Sequence, residues 1–197
     1  MIEFKREQIN SVEYWDSLWE KDRGGNNSRF VGEIKDGTRV IDLGGGWGSL
    51  AADIKKARGN CEVYTLDFSR VAHEKGKQKY GHLGIRFLTV SFEQLKDYAD
   101  YFDYCVAREF LEHVSDLDMV MKKIFGILKP GGTFICSVPH DEEEAVGSPE
   151  HLRSFGHESY HYFSRRDVKW IYAEWISFAR GDCAWRMMIK MRKPEVK

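Results

Sequence analysis

Apolar residues along the chain fall into two alternating patterns. Short, nearly continuous apolar runs occur at residues 40–43, 61–67, 85–90, 101–107 and 133–138. Each reads as a strand buried on both faces, as in a parallel sheet covered by helices. Between them, apolar residues recur every three or four positions. Leu50, Ala51, Ile54 and Ala57 form one such stripe, stopped by Gly59. A more polar helix is predicted over 71–80, ending at Gly81, and a third over 116–128. The third buries Leu117, Val120, Met121, Ile124 and Leu128, and Lys129-Pro130-Gly131-Gly132 stops it. Alternating strands and helices predict one α/β domain over 1–197 with a doubly wound, mostly parallel sheet.

The two ends depart from this alternation. Val12, Trp15, Leu18 and Trp19 share a helical face, and a polar, glycine-containing loop follows over 21–29. The segment 1–31 is therefore either a helix packed on the sheet or a lid whose aromatic residues cover a cleft. Residues 139–163 carry three consecutive glutamates and His140, His151, His157 and His161. This stretch leaves the carboxyl end of the fifth strand, so it is expected to overhang the site as a substrate loop. Residues 165–175 read as a helix with Val168, Ile171, Tyr172 and Trp175 inward. Residues 176–180 and 183–192, joined by Gly181-Asp182, read as an antiparallel hairpin. In its second arm Trp185, Met187, Ile189 and Met191 alternate with Arg186, Met188, Lys190 and Arg192.

Charge narrows the partners. Thirty Lys and Arg balance 31 Asp and Glu, so no overall positive field favours a nucleic acid. The cysteines at 61, 105, 136 and 183 are scattered without a C-x-x-C pair, which predicts reduced, buried thiols. No signal-like start and no long apolar run is visible, so a soluble cytoplasmic protein with no membrane partner is expected.

The candidate chemistry centres on residues 40–50, VIDLGGGWGSL. A strand, a glycine turn and a helix in succession hold nucleotide-like ligands at the carboxyl edge of a parallel sheet. A dinucleotide fingerprint G-x-G-x-x-G would place Ser49 at its third glycine, a departure that disfavours a dehydrogenase. The pattern D-x-G-x-G-x-G is matched without a gap by Asp42, Gly44, Gly46 and Gly48, with Gly45 between. Here the chain resembles the class I S-adenosylmethionine-dependent methyltransferases. The segments FDYCVAREFLEHV (102–114) and L-K-P-G-G before an apolar strand (128–138) add to the resemblance. It covers residues 38–192 at the level of fold, with its specific motifs between 40 and 138.

The resemblance implies a Rossmann-like methyltransferase fold: a seven-stranded sheet closed by a C-terminal antiparallel hairpin. It implies S-adenosylmethionine as cofactor. The residues expected around that cofactor are Asp42, Gly44, Gly45, Gly46, Gly48, Asp67, Phe68, Ser91, Phe92 and Ala107. Asp67, ending the second strand, serves either as acceptor for ribose hydroxyls or as a helix N-cap. Ser91 stands where the family often has an acid facing the adenine amine. A backbone N–H of Phe92 is the substitute contact, and a capping motif is the structural alternative.

The segment after the fourth strand lines the reaction centre in the family. Glu109, Glu112 and His113 stand at i, i+3 and i+4, so a helix would put them on one face. His113 and Glu109 are the candidate catalytic residues, His113 orienting or deprotonating the acceptor without a metal. The rival is a divalent ion on Glu109, Glu112, His113 and His161. E-x-x-E-H with a later histidine resembles the metal-using small-RNA 2′-O-methyltransferases and quinone-biosynthesis O-methyltransferases. The favoured function is methyl transfer to an oxygen or nitrogen of a small molecule or glycan. Metal-assisted transfer to an RNA 2′-hydroxyl or a quinone precursor is the first alternative, and a cofactor-binding protein without turnover the second.

Overall fold

The computed structural model describes residues 5–20, 27–95, 97–140, 148–164, 168–177 and 183–195. One sheet holds β1 (Arg39–Leu43), β2 (Glu62–Asp67), β3 (Arg86–Thr89), β4 (Phe102–Arg108), β5 (Leu128–Pro139), β6 (Val168–Ser177) and β7 (Cys183–Arg192). Its order is β3-β2-β1-β4-β5-β7-β6. The first five strands pair in parallel, and β7 runs antiparallel to both β5 and β6. The winding reverses between β1 and β4, so the crevice at their carboxyl ends is the topological switch point where α/β sheets bind ligands.

The helices are α1 (Val12–Leu18), α2 (Ser28–Glu33), α3 (Ser49–Ala57), α4 (Arg70–Tyr80), α5 (Leu117–Ile127) and α6 (His157–Ser164). Successive strand residues serve opposite cores. Ile41, Leu43, Leu66, Phe102 and Ala107 pack with Val120, Met121 and Ile124 of α5 and Phe163 of α6. Val40, Val63, Val106 and Ile135 pack with Leu50, Ala51 and Ile54 of α3 and with Phe30 and Ile34 at α2. Both faces are covered, which is why the strand runs lack a polar side. The polar α4 is held by its ends and by close approach. The Ser69 hydroxyl caps it by accepting the Ala72 N–H at 3.0 Å. A Cβ on Gly76 would come within 2.3 Å of the Trp47 carbonyl.

The chain departs from expectation at its C-terminal part. Residues 168–177 are strand β6, not a helix, and pair with β7 from Val168↔Met191 to Ser177↔Cys183. The apolar spacing at 168, 171, 172 and 175 fits a helix. Val168, Trp170, Ile171, Tyr172, Trp175 and Ile176 are also β-branched or aromatic, and the open edge of β7 decides between the two. The helix of this region is α6, inside the stretch read as a loop. The two-sided alternation of β7 survives only at its end, where Lys190 is half-buried and Arg192 exposed. Met187, Met188, Ile189 and Met191 are all buried and Arg186 is only 7% exposed, because β7 lies inside the sheet with both faces covered. The Gly181-Asp182 turn lies outside the described residues. Cys61, Cys105 and Cys136 are buried free thiols. Among the described residues no helix is long and apolar enough to cross a membrane.

Candidate active site

The turn after β1 has a backbone that favours glycine. Gly44, Gly46 and Gly48 have φ of +64°, +54° and +82°. Gly45 is excluded from substitution by space rather than by φ: a Cβ there would lie 2.2 Å from Thr65 Oγ1 and 2.7 Å from Asp42 Oδ2. Beneath the turn, Asp42 is 1% exposed. Asp42 Oδ2 and Thr65 Oγ1 are buried with no hydrogen-bond partner among the described residues. Burial pushes the Asp42 carboxyl up to about 7, against the pull of the Arg108 guanidinium and an Ala51 backbone hydrogen bond.

Asp67 at the end of β2 is tied to the same turn. The Gly46 N–H donates to its Oδ2 at 2.9 Å, and the Ser69 N–H donates to its Oδ1 at 2.8 Å. Burial raises its carboxyl to about 6, opposed by these two bonds. The cap of α4 is Ser69, so the capping role weighed for Asp67 belongs to its neighbour. Each Asp67 oxygen accepts one N–H and retains a further lone pair.

An aromatic layer covers the turn. A Cβ on Gly46 would fall 2.4 Å from the indole of Trp19, and one on Gly44 would fall 2.6 Å from the Phe110 ring. Trp19 stacks on Trp15 at 6.4 Å between centroids, and Trp15 meets His113 edge-on at 4.8 Å. The N-terminal helix is fastened by the Trp47 Nε1–H donating to the Trp19 carbonyl at 2.9 Å. The Ser69 hydroxyl also bonds Asp16 Oδ1 at 2.5 Å. Thus α1 lies across the glycine turn, where a lid would lie. Phe92 is buried and stands edge-on to Phe110 at 6.1 Å. Phe68 is half-buried after β2. The Ser91 N–H donates to Gln94 Oε1, the capping arrangement. Ala107 is fully buried in β4 between Leu43 of β1 and Cys136 of β5.

The three residues after β4 do not share a helical face. Glu109 has φ +52° and precedes a short 3-10 turn over Leu111–His113. Its carboxylate is engaged by the Ser137 hydroxyl at 2.6 Å and by Arg186 Nε at 2.5 Å. The left-handed residue turns the chain too sharply for the α-helix that the spacing allowed. Glu112 is 1% exposed, and neither carboxylate oxygen has a hydrogen-bond partner among the described residues. Burial and the Glu109 charge raise its carboxyl well above the usual range. His113 is half-buried, its Nδ1 3.0 Å from the Glu150 carbonyl. The carbonyl can only accept, so this contact puts a proton on Nδ1, and Nε2 lies 3.8 Å from Glu112 Oε1.

His161, the last residue of the rival metal set, is exposed on α6. Glu112, His113 and His151 each offer a potential ligand atom, and these atoms lie within 4.8 Å of one another. The segment that carries His151 is fixed by the Leu152 N–H donating to the Glu112 carbonyl at 2.8 Å, and by Arg153 donating to the Val114 carbonyl. Sequence reasoning placed His151 only among several loop histidines and did not find Asp16, Thr65 or Arg186. Their contacts span 53, 23 and 77 positions of chain respectively from Ser69, Asp42 and Glu109, and no local pattern announces them.

A family model described as a methyltransferase domain matches residues 23–174. The chain belongs to the class I S-adenosylmethionine-dependent methyltransferase family. S-adenosylmethionine is the cofactor of this family. Two features at the turn fit it: a buried Asp42 carboxylate oxygen without a hydrogen-bond partner among the described residues, and Asp67 with acceptor capacity to spare. The chain is 33% identical over 108 residues to the ubiquinone/menaquinone biosynthesis C-methyltransferase of Edwardsiella ictaluri, covering 52% of this chain and 43% of that one. It is 29% identical over 161 residues to the sarcosine/dimethylglycine N-methyltransferase of Aphanothece halophytica, covering 75% of this chain and 58% of the other. The chain thus spans about half the length of these relatives. Phosphoethanolamine N-methyltransferase 2 of Haemonchus contortus, solved with phosphomonomethylethanolamine and S-adenosylhomocysteine, superposes with a TM-score of 0.72 at 15% identity. That match covers 98% of this chain and 61% of the other, and it speaks to the fold.

Proposed function

We propose that this methyltransferase-family protein transfers a methyl group from S-adenosylmethionine to an oxygen or nitrogen of a small molecule or glycan. The observation that carries the reading is that Asp67 is bonded to the glycine turn, and that Trp19 and Trp15 link the turn to His113 at the β1/β4 switch point. When bound, the cofactor supplies a methyl group on a sulfonium leaving group that is already activated. The protein's task is then chiefly to position the acceptor and exclude water.

Asp67 accepts the ribose hydroxyls through its remaining lone pairs, held in place by the Gly46 and Ser69 amides. Phe68 and Phe92 flank the adenine, and the Phe92 amide is the candidate contact to it. Trp15 and Trp19 close the cleft from above, since they already bridge Gly46 and His113. His113, its ring held by the Glu150 carbonyl, orients the acceptor. Glu109 acts through geometry: tied to Ser137 and Arg186, it fixes the bend that carries His113 into the cleft. A small acceptor is supported by one relative, which is named for methylating sarcosine and dimethylglycine.

Calorimetric titration with S-adenosylmethionine and with NAD tests the cofactor, and only the first should bind. Turnover is tested by release of S-adenosylhomocysteine across hydroxyl and amine acceptors. His113→Ala should lower turnover by roughly a hundredfold while leaving cofactor affinity in place. Tight cofactor binding with no product from any acceptor would identify a binding protein instead.

A further inference from the structure

We propose that Glu112, His113 and His151 form a divalent-metal site of two imidazoles and one carboxylate on the acceptor side of the cleft. Three independent features of the fold converge on it. The first is the Glu112 carboxylate, buried with both oxygens lacking a hydrogen bond among the described residues. A buried carboxylate without donors is costly unless a proton or a cation neutralises it. The Arg186 guanidinium, which pairs with Glu109, also attracts the Glu112 carboxylate from nearby, yet it makes no hydrogen bond to either oxygen.

The second is the orientation of His113. Its Nδ1–H is directed at the Glu150 carbonyl at 3.0 Å, which holds the ring with Nε2 turned towards Glu112. Metal-bound imidazoles are commonly supported in this way, the far nitrogen donating to a backbone carbonyl. The same Glu150 carbonyl accepts from Asn10 Nδ2 at 2.8 Å, so the support is itself fixed from the N-terminal segment.

The third is how His151 is delivered. It is remote in sequence, yet its ring centroid lies 5.1 Å from that of His113. The Leu152 amide donates to the carbonyl of Glu112 itself, so the backbone pairs the two ligand-bearing segments directly. The three ligand atoms lie within 4.8 Å of one another, and a modest contraction brings them to distances at which imidazole and carboxylate bind one ion, about 2.0–2.2 Å for zinc.

Two nitrogens and one oxygen select zinc, manganese, iron or cobalt over magnesium or calcium, which favour all-oxygen sites. Three protein ligands leave a coordination position open. An ion there would hold the acceptor's hydroxyl as a Lewis acid. The acceptor proton passes to bulk water, its oxygen bonds the methyl carbon, and the cofactor sulfur keeps the electrons of the broken bond. This catalytic part rests on the methyltransferase reading above; the binding of the ion does not.

The test uses tag-free full chain stripped with chelator and then titrated with Zn²⁺ or Mn²⁺ in a calorimeter. One ion per chain should bind, and His151→Ala should weaken it by roughly a hundredfold. Glu112→Gln should act likewise, and His161→Ala should bind as wild type. His151 lies in a surface segment, so its variant keeps the test valid if Glu112→Gln does not fold. Absence of saturable binding in wild type, or binding unchanged in His151→Ala, overturns the site. S-adenosylmethionine is titrated into the same stripped samples. Metal binding without cofactor binding would refute the methyltransferase reading and leave the site standing. Undiminished turnover by stripped protein would overturn the catalytic role of the ion.

Discussion

The indole of Trp19 rests on Gly46 so closely that a single added methyl group would come within 2.4 Å of the ring. Helix α1 and the turn therefore pack as one surface, joined at a glycine. Gly46→Ala would introduce a side chain at φ +54°, a strain of about 1–3 kcal/mol, and would push Trp19 away. Faster amide exchange over 12–19 and roughly tenfold weaker S-adenosylmethionine binding are expected. In the unaltered protein, cofactor should slow exchange in the same segment. If exchange over 12–19 is identical with and without cofactor, α1 is a fixed structural helix.

Asp67→Ala removes the acceptor for the Gly46 and Ser69 amides along with the proposed ribose contacts. Losing hydrogen bonds to a charged acceptor costs roughly 1.5–3 kcal/mol, or about ten- to a hundredfold in cofactor affinity. Calorimetry on the folded variant measures this, and unchanged affinity would remove Asp67 from the cofactor site.

Asp42 gives the protein a pH-dependent cost. Its carboxyl titrates near 7 in the folded protein against 3.8 ordinarily. Between these values the native state keeps a proton that the unfolded chain has released. Stability is therefore lost as pH rises from about 4 to about 7. Asn at this position cannot ionise, so Asp42→Asn should gain on wild type by up to roughly 4 kcal/mol above pH 7, and by little below pH 4. Melting temperatures of both proteins across this range decide the matter. A difference that does not vary with pH would mean that Asp42 stays ionised throughout.

Arg186 and Glu109 join β7 to the bend after β4. Arg186→Met leaves the Glu109 carboxylate without its guanidinium and should cost about 3 kcal/mol in urea unfolding. Adding Glu109→Gln should restore part of the loss, because no charge is then left unpaired. If the double variant is no better than the single one, the two residues act independently.

Much of the fold was legible locally. Strands buried on both faces announce themselves as unbroken apolar runs, and the turn after Leu43 leaves its glycines in the sequence because backbone conformation or space admits nothing larger. These features depend on neighbours a few positions away. The helix-or-strand choice over 168–177 depended on an edge of β7 that exists only once the sheet is assembled.

The sequence by itself determined the α/β alternation, the D-x-G-x-G-x-G turn with Asp67 a strand later, and the nearness of Glu109, Glu112 and His113 to one strand end. Only the tertiary structure decided how those three divide. A left-handed residue at 109 sends that carboxylate to Ser137 and Arg186, while the returning segment places His151 beside Glu112 and His113. The physical reason is range. Backbone conformation and burial are imposed by adjacent residues and leave a periodic trace, whereas a contact between residues 112 and 151 is fixed by chain closure across the fold and leaves none.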